Sequence, residues 1–251
     1  MKRLLFWLPA VVLMTACQSG TQADVSPCRS NIEPPKHMQK HFPRCPEPYQ
    51  ILQITDKPID FGPKRIALTK AYIKTHYGLD VKDITITPKI IVLHYTAIDS
   101  LEASYNTMKP ETLGGGRKDI AKASALNVSV QFLVDKDGTI YRLMPENWMG
   151  RHVIGLNYYA IGVENVAKDA KHLTPAQVHA NIRLVEYLKH KHPTIEYLIG
   201  HHEYLRMEQT PLWLEKDKNY RTHKVDPGDA FMQKVRRGVK QLHLKTPPKE
   251  Q

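Results

Sequence analysis

Cysteine is nearly absent from this chain: its 251 residues hold three, Cys17, Cys28 and Cys45, and none follows. A zinc site closed by thiolates, or a cysteine nucleophile, is therefore excluded from everything after Cys45. The formal charge is +11, yet no four consecutive residues are Lys or Arg. A basic arm for nucleic acid is not indicated, and nucleic acid is not an expected partner. No apolar run reaches the roughly 20 residues that cross a bilayer. No internal repeat is present, which removes solenoids and propellers. The HExxH helix of one large class of zinc peptidases is missing as well.

What is present begins with MKRLLFWLPAVVLMTAC. Lys2 and Arg3 precede an apolar stretch from Leu4 to Met14, and Thr15-Ala16-Cys17 is a small-residue exit. That order describes a secretory leader over residues 1–16. Cysteine directly after it resembles the bacterial lipobox, with Met14 in place of the usual aliphatic residue. The resemblance implies acylation of Cys17, and Gln18 after it implies an outer-membrane lipoprotein facing the periplasm. Cys28 and Cys45 then remain as an even pair in an exported protein, most simply a disulfide. Closing that loop contributes about 3 kcal/mol on the chain-entropy account. The charge falls from +11 to +9 once Lys2 and Arg3 are gone, a balance suited to wall carboxylates and lipid phosphates.

Residues 17–62 are rich in Pro, Ser and Gln with little apolar periodicity, and read as a lipidated tether and disulfide-pinned arm. From Pro63 the pattern changes. Ile66, Ile73 and Tyr77 recur at helical spacing and stop at Gly78, predicting a helix. Lys89–Tyr95 is a strand buried on both faces. Asp99–Met108 opens a helix that Gly114–Gly116 breaks. Val128–Val134 and Thr139–Leu143 flank Asp135-Lys136-Asp137-Gly138 as a hairpin. Ala160–Val166 and Tyr197–Gly200 are further strands. Thr174-Pro175 starts a helix that His192-Pro193 ends, and Phe231–Leu242 is a closing helix. Strands mixed with helices in this order predict an α/β fold, a single domain over 63–242 with a central mixed sheet flanked by helices, and a polar tail over 243–251.

Three segments carry candidate chemistry: IVLHYTA at 91–97, GHHE at 200–203 and HKVDPG at 223–228. They offer His94 at the end of a buried strand, His201 or His202 after a short one, and Asp226 before a Pro-Gly turn. His223 is a less favoured substitute. Two histidines and one carboxylate give zinc three protein ligands and leave a fourth position open, as hydrolytic sites do. In an extended segment Lys224, two residues before Asp226, points to the same side.

Taken in order, these segments resemble the type 2 N-acetylmuramoyl-L-alanine amidases, related in fold to the peptidoglycan recognition proteins. IVLHYTA, SVQFLVDKDGTIYRLMPEN, GRHVIGLN, AIGVEN, IGHHE and KVDPG carry it, from about Lys89 to Phe231. The resemblance implies zinc on His94, His201 and Asp226, the family's Gly-His register favouring His201 over His202. It implies Glu164 as the catalytic base, Lys224 as the charge facing the oxyanion, and His152 as a contact to the muramyl or peptide part of the substrate. The implied activity is hydrolysis of the amide joining the muramic acid lactyl group to L-alanine of peptidoglycan or its fragments, by a monomer.

Three departures stand out. Gln131 replaces a histidine common in the family, so one wall of the cleft is expected to differ. His201 and Asp226 lie 25 residues apart, further than usual, and the added stretch with Pro211–Leu214 reads as a loop over the site. The Gly114–Gly116 region is also longer. The competing reading is a non-catalytic peptidoglycan-binding module, whose mark is loss of a zinc ligand. A peptidase acting within the stem peptide and a structural lipoprotein are the remaining alternatives.

Overall fold

The computed structural model describes residues 52–116 and 118–249. Cys17, Cys28 and Cys45, and with them the expected leader, lipid anchor and disulfide, lie outside the described residues. Six strands form one sheet: β1 (Thr55–Asp56), β2 (Ile90–Tyr95), β3 (Phe132–Val134), β4 (Ile140–Arg142), β5 (Ala160–Asn165) and β6 (Tyr197–Gly200). Their order is β1-β4-β3-β5-β2-β6. Only β3–β4 is antiparallel, joined at the expected hairpin; the other neighbours run parallel. The mixed sheet flanked by helices is the architecture expected from the sequence. β1 falls within the segment read as the arm, and Lys57 and Ile59 continue its pairing to Arg142 and Leu143.

Strand alternation divides the core. Ile91, Leu93, Ile161, Val163 and Leu198 face helices α4 (Pro175–Lys191) and α5 (Asp229–Gly238), burying Leu184, Val185, Leu188, Phe231, Met232 and Val235. Thr174 and Gln177 close a capping box at the start of α4, and proline at its first turn fixes the entry. On the opposite face Ile90, Val92, Ala160 and Ile199 pack against Tyr72, Ile73 and Tyr77. These come from α1 (Pro63–Tyr72) and a wider π-type turn, Ile73–Tyr77, which ends at Gly78 with φ +65. Continuing each alternation, His94, Glu164 and His201 belong to this second face. No helix among the described residues is long and apolar enough to cross a membrane.

Two buried arginines hold the segment beyond α2 (Leu101–Met108), which contains the short helix α3 (Lys118–Ala121), to this face. Arg65 donates to the carbonyls of Asp60, Met108, Lys109 and Pro110. Arg151 donates to those of Ile120, Ser124 and Leu126. The added stretch after His201 is not a loop over the site along its whole length. Leu212, Trp213 and Leu214 pack against the core, and Leu214 N–H donates to Gly155 O. Burying three apolar side chains outweighs leaving them over an open cleft.

His76 ties both added segments together. Its Nδ1 meets both carboxylate oxygens of buried Glu215 at 3.0 Å, and its Nε2 faces Ala123 O at 3.1 Å. Both partners accept, so the ring donates from both nitrogens as an imidazolium. Burial opposes that charge, but the bonds to Glu215 and the Ala123 carbonyl outweigh it and raise the pKa. With a raised folded value, the contribution is complete below the unfolded value of about 6.5 and is lost as pH rises through the folded value. The urea-unfolding stability of the wild type should therefore exceed that of His76→Gln by about 3 kcal/mol near pH 6, with the gap shrinking towards pH 9. A gap independent of pH would contradict the paired state.

Candidate active site

β2 and β5 run side by side in register, with His94 opposite Glu164. In neighbouring parallel strands, paired residues project to the same face, about 4.8 Å apart at the backbone. β6 pairs on the other edge of β2 through Leu93 and Gly200. His201, the next residue, opens a 3-10 helix, His201–Gln209. Asp226 comes from the extended segment before α5, in which His223 and Val225 face outward and Val225 is 58% exposed. Thr222 and Lys224 line the cavity together with Glu164, His152, His201 and Tyr220.

His94, His201 and Asp226 meet in one cluster. His94 Nδ1 and His201 Nδ1 are 3.0 Å apart, and Asp226 Oδ2 lies 3.2 Å from the first and 3.1 Å from the second. Ligands about 2.05 Å from a tetrahedral zinc sit about 3.3 Å from one another. The triangle is slightly tighter than that face of a tetrahedron, and its donor set suits zinc. Burial, with His94 and Lys224 beside it and Asp226 opposing, pushes His201 down to about 4. Burial also opposes ionisation of Asp226, yet His201 and His94 outweigh it and hold the carboxyl well below the usual range. A neutral imidazole and an ionised carboxylate are the forms that bind metal.

His202 and His223 are not brought to the cluster. His202 N–H and Nδ1 both reach Asp226 O, at 2.8 and 3.1 Å, while its Nε2 faces Asp229 Oδ1 at 3.0 Å. Its ring clamps the backbone of Asp226, a positioning function that the sequence did not disclose. His202, Glu203 and Asp229 also lie close together, but Glu203 is committed to Arg236 at 2.6 and 3.1 Å and to Gly200 N–H at 2.7 Å.

His152 lies beside the cluster with Nδ1 3.0 Å from His94 Nε2 and Nε2 3.4 Å from Ala160 O. Burial, with His94 and His201 near, holds its pKa well below the ordinary imidazole value. Gln131 is fully buried and absent from the cavity lining: it accepts from Gly162 N–H at 2.7 Å and donates to Trp148 O at 2.7 Å. The expected change of cleft wall at this position is therefore a sheet-bracing contact. Two further residues escaped the sequence reading. Asn165 donates to His94 O at 3.0 Å and accepts from Asn181 of α4 at 2.7 Å, fixing the backbone of the strand end. An asparagine in a strand and another on a helix carry no signal until both are seen to be buried.

Residues 85–229 match the protein family described as N-acetylmuramoyl-L-alanine amidase, more than half of the chain. No curated protein matches it significantly in sequence. Among solved structures, similarity is found to the N-acetylmuramoyl-L-alanine amidase LysC from Clostridium intestinale, at 23% identity over 77% of this chain and 99% of that one, with a TM-score of 0.46. The Ph2119 endolysin from the Thermus scotoductus bacteriophage gives 16% identity, 74% and 99% coverage, and a TM-score of 0.43. Human PGRP-IBETAC in complex with glycosamyl muramyl pentapeptide gives 17% identity, 61% and 84% coverage, and a TM-score of 0.42.

Proposed function

The chain belongs to the N-acetylmuramoyl-L-alanine amidase family, and from that premise we propose a zinc-dependent enzyme that hydrolyses the amide between the muramic acid lactyl group and L-alanine. The observation that carries this reading is the meeting of His94 Nδ1, His201 Nδ1 and Asp226 Oδ2 within 3.2 Å, on the sheet face that also bears Glu164. A zinc ion bound there supplies Lewis acidity toward the scissile carbonyl and a water acidified to a pKa of about 7.

The residues of the chain divide the remaining work. Glu164 Oε takes a proton from the attacking water and returns it to the amine nitrogen that leaves, so that one water adds across the C–N bond. Lys224 places a fixed positive charge toward the carbonyl oxygen as negative charge develops there. Thr222 and Tyr220 continue the cavity wall that receives the glycopeptide. The lipid anchor expected at Cys17 would hold this site at a membrane facing the wall.

Mass spectrometry of purified muropeptides incubated with the zinc-loaded protein tests the reading. The expected products are free stem peptide and a glycan carrying the intact lactyl acid. Cleavage within the peptide would point to a peptidase. Binding without cleavage would point to a recognition module.

A further inference from the structure

His152 is expected from sequence resemblance to touch substrate, yet both of its ring nitrogens are committed inside the protein. A backbone carbonyl can only accept a hydrogen bond, so the nitrogen facing Ala160 O, Nε2, carries the proton. In the neutral ring Nδ1 is then an acceptor, and it faces His94 Nε2 at 3.0 Å. His94 must therefore donate from Nε2, so that a neutral His94 ring presents Nδ1 to a metal. Nδ1 is the atom that lies 3.0 and 3.2 Å from the other two members of the cluster. Followed from the other end, the relay gives the same answer. A metal on His94 Nδ1 requires the proton on Nε2, and that proton needs an acceptor.

The surroundings hold the ring in place. Asn157 Oδ1 accepts from the backbone N–H groups of His152 and Val153 at 2.9 and 2.8 Å, and Asn157 itself donates to Tyr77 OH at 3.0 Å. Gly162, opposite Val92 in β5, lies under the ring: a Cβ there would sit 2.8 Å from His152 Cγ. Only the missing side chain lets the imidazole lie this close to the strand.

We infer that His152 is a positioning residue for the metal, a relay from the Ala160 carbonyl that fixes the tautomer and orientation of the ligand His94. Outer-shell partners of ligating histidines commonly act in this way, and their loss typically costs about 10–100-fold in metal affinity. The inference rests on the zinc reading of the cluster.

Zinc affinity is measured by competition with a chromophoric chelator on purified wild-type, His152→Ala, His152→Asn and Gly162→Ala proteins, with thermal unfolding as a check on folding. His152→Ala is expected to weaken zinc by about 10–100-fold. His152→Asn, whose Oδ1 can accept from His94 Nε2–H, should recover most of that loss. Gly162→Ala, which displaces the ring without removing it, should weaken zinc in the same direction. Long-range nitrogen–proton NMR of the imidazoles should show His94 and His152 both protonated at Nε2, a readout independent of turnover. A folded His152→Ala protein that binds zinc as the wild type does, with only KM raised, would make His152 a substrate contact and overturn the inference. A proton on His152 Nδ1 would also overturn it. A wild type that takes up no zinc would instead remove the metal reading, and this role with it.

Discussion

Replacing Glu164 with glutamine is expected to lower kcat on muropeptides by about 10²–10⁴-fold, the usual contribution of a general base. Glutamine keeps the size of the side chain and its place in β5, so the register that sets it beside His94 survives. What is lost is a group that can accept a proton from water and pass it to the departing amine. Because Glu164 is not a member of the His94–His201–Asp226 cluster, bound zinc should be unchanged. Steady-state kinetics with metal quantified on the same sample check this. A Glu164→Gln enzyme with wild-type kcat would remove Glu164 from the mechanism, and one that had lost its zinc would make it a structural support of the site.

Asp226→Asn should remove zinc and activity together. The substitution preserves volume but deletes the negative charge that two neutral imidazoles cannot replace. Its effect on affinity should exceed the about 10–100-fold expected for an outer-shell partner. Binding only to the folded state adds about 4 kcal/mol of stability when zinc stands at 1,000 times its dissociation constant. In the wild type, a chelator should therefore lower the Tm markedly and zinc should restore it. In Asp226→Asn the Tm should be nearly indifferent to both. A variant that kept the zinc-dependent Tm shift would place the metal elsewhere.

The parts of this molecule that follow from periodicity were legible in the sequence. The apolar run ending at His94, the Asp-Lys-Asp-Gly turn and the capped start of α4 are local signals, and the structure contains each element. The mixed sheet follows from their order. Alternation also predicts that Lys224 and Asp226 share a side, since it depends only on extended backbone, and Lys224 lines the cavity with His201. Properties set by long-range packing were not legible. Whether Trp213 would cover the site or the core depends on which apolar surface lies nearest in the fold, and it packs against the core. The two histidines at 201 and 202 differ by one position in sequence. Only the close of β6 decides that the first turns toward His94 and the second toward the backbone of Asp226. Likewise His76 and Glu215 are 139 residues apart, and nothing near either announces the buried pair they form.

The most direct test of the central claim is a titration of metal-stripped protein with zinc while release of stem peptide from a purified muropeptide is followed. A zinc-dependent amidase should show no cleavage without metal, a linear rise in activity to one equivalent of zinc, and a plateau beyond it. Full activity in the stripped protein, or uptake of one zinc with no cleavage, would contradict that claim.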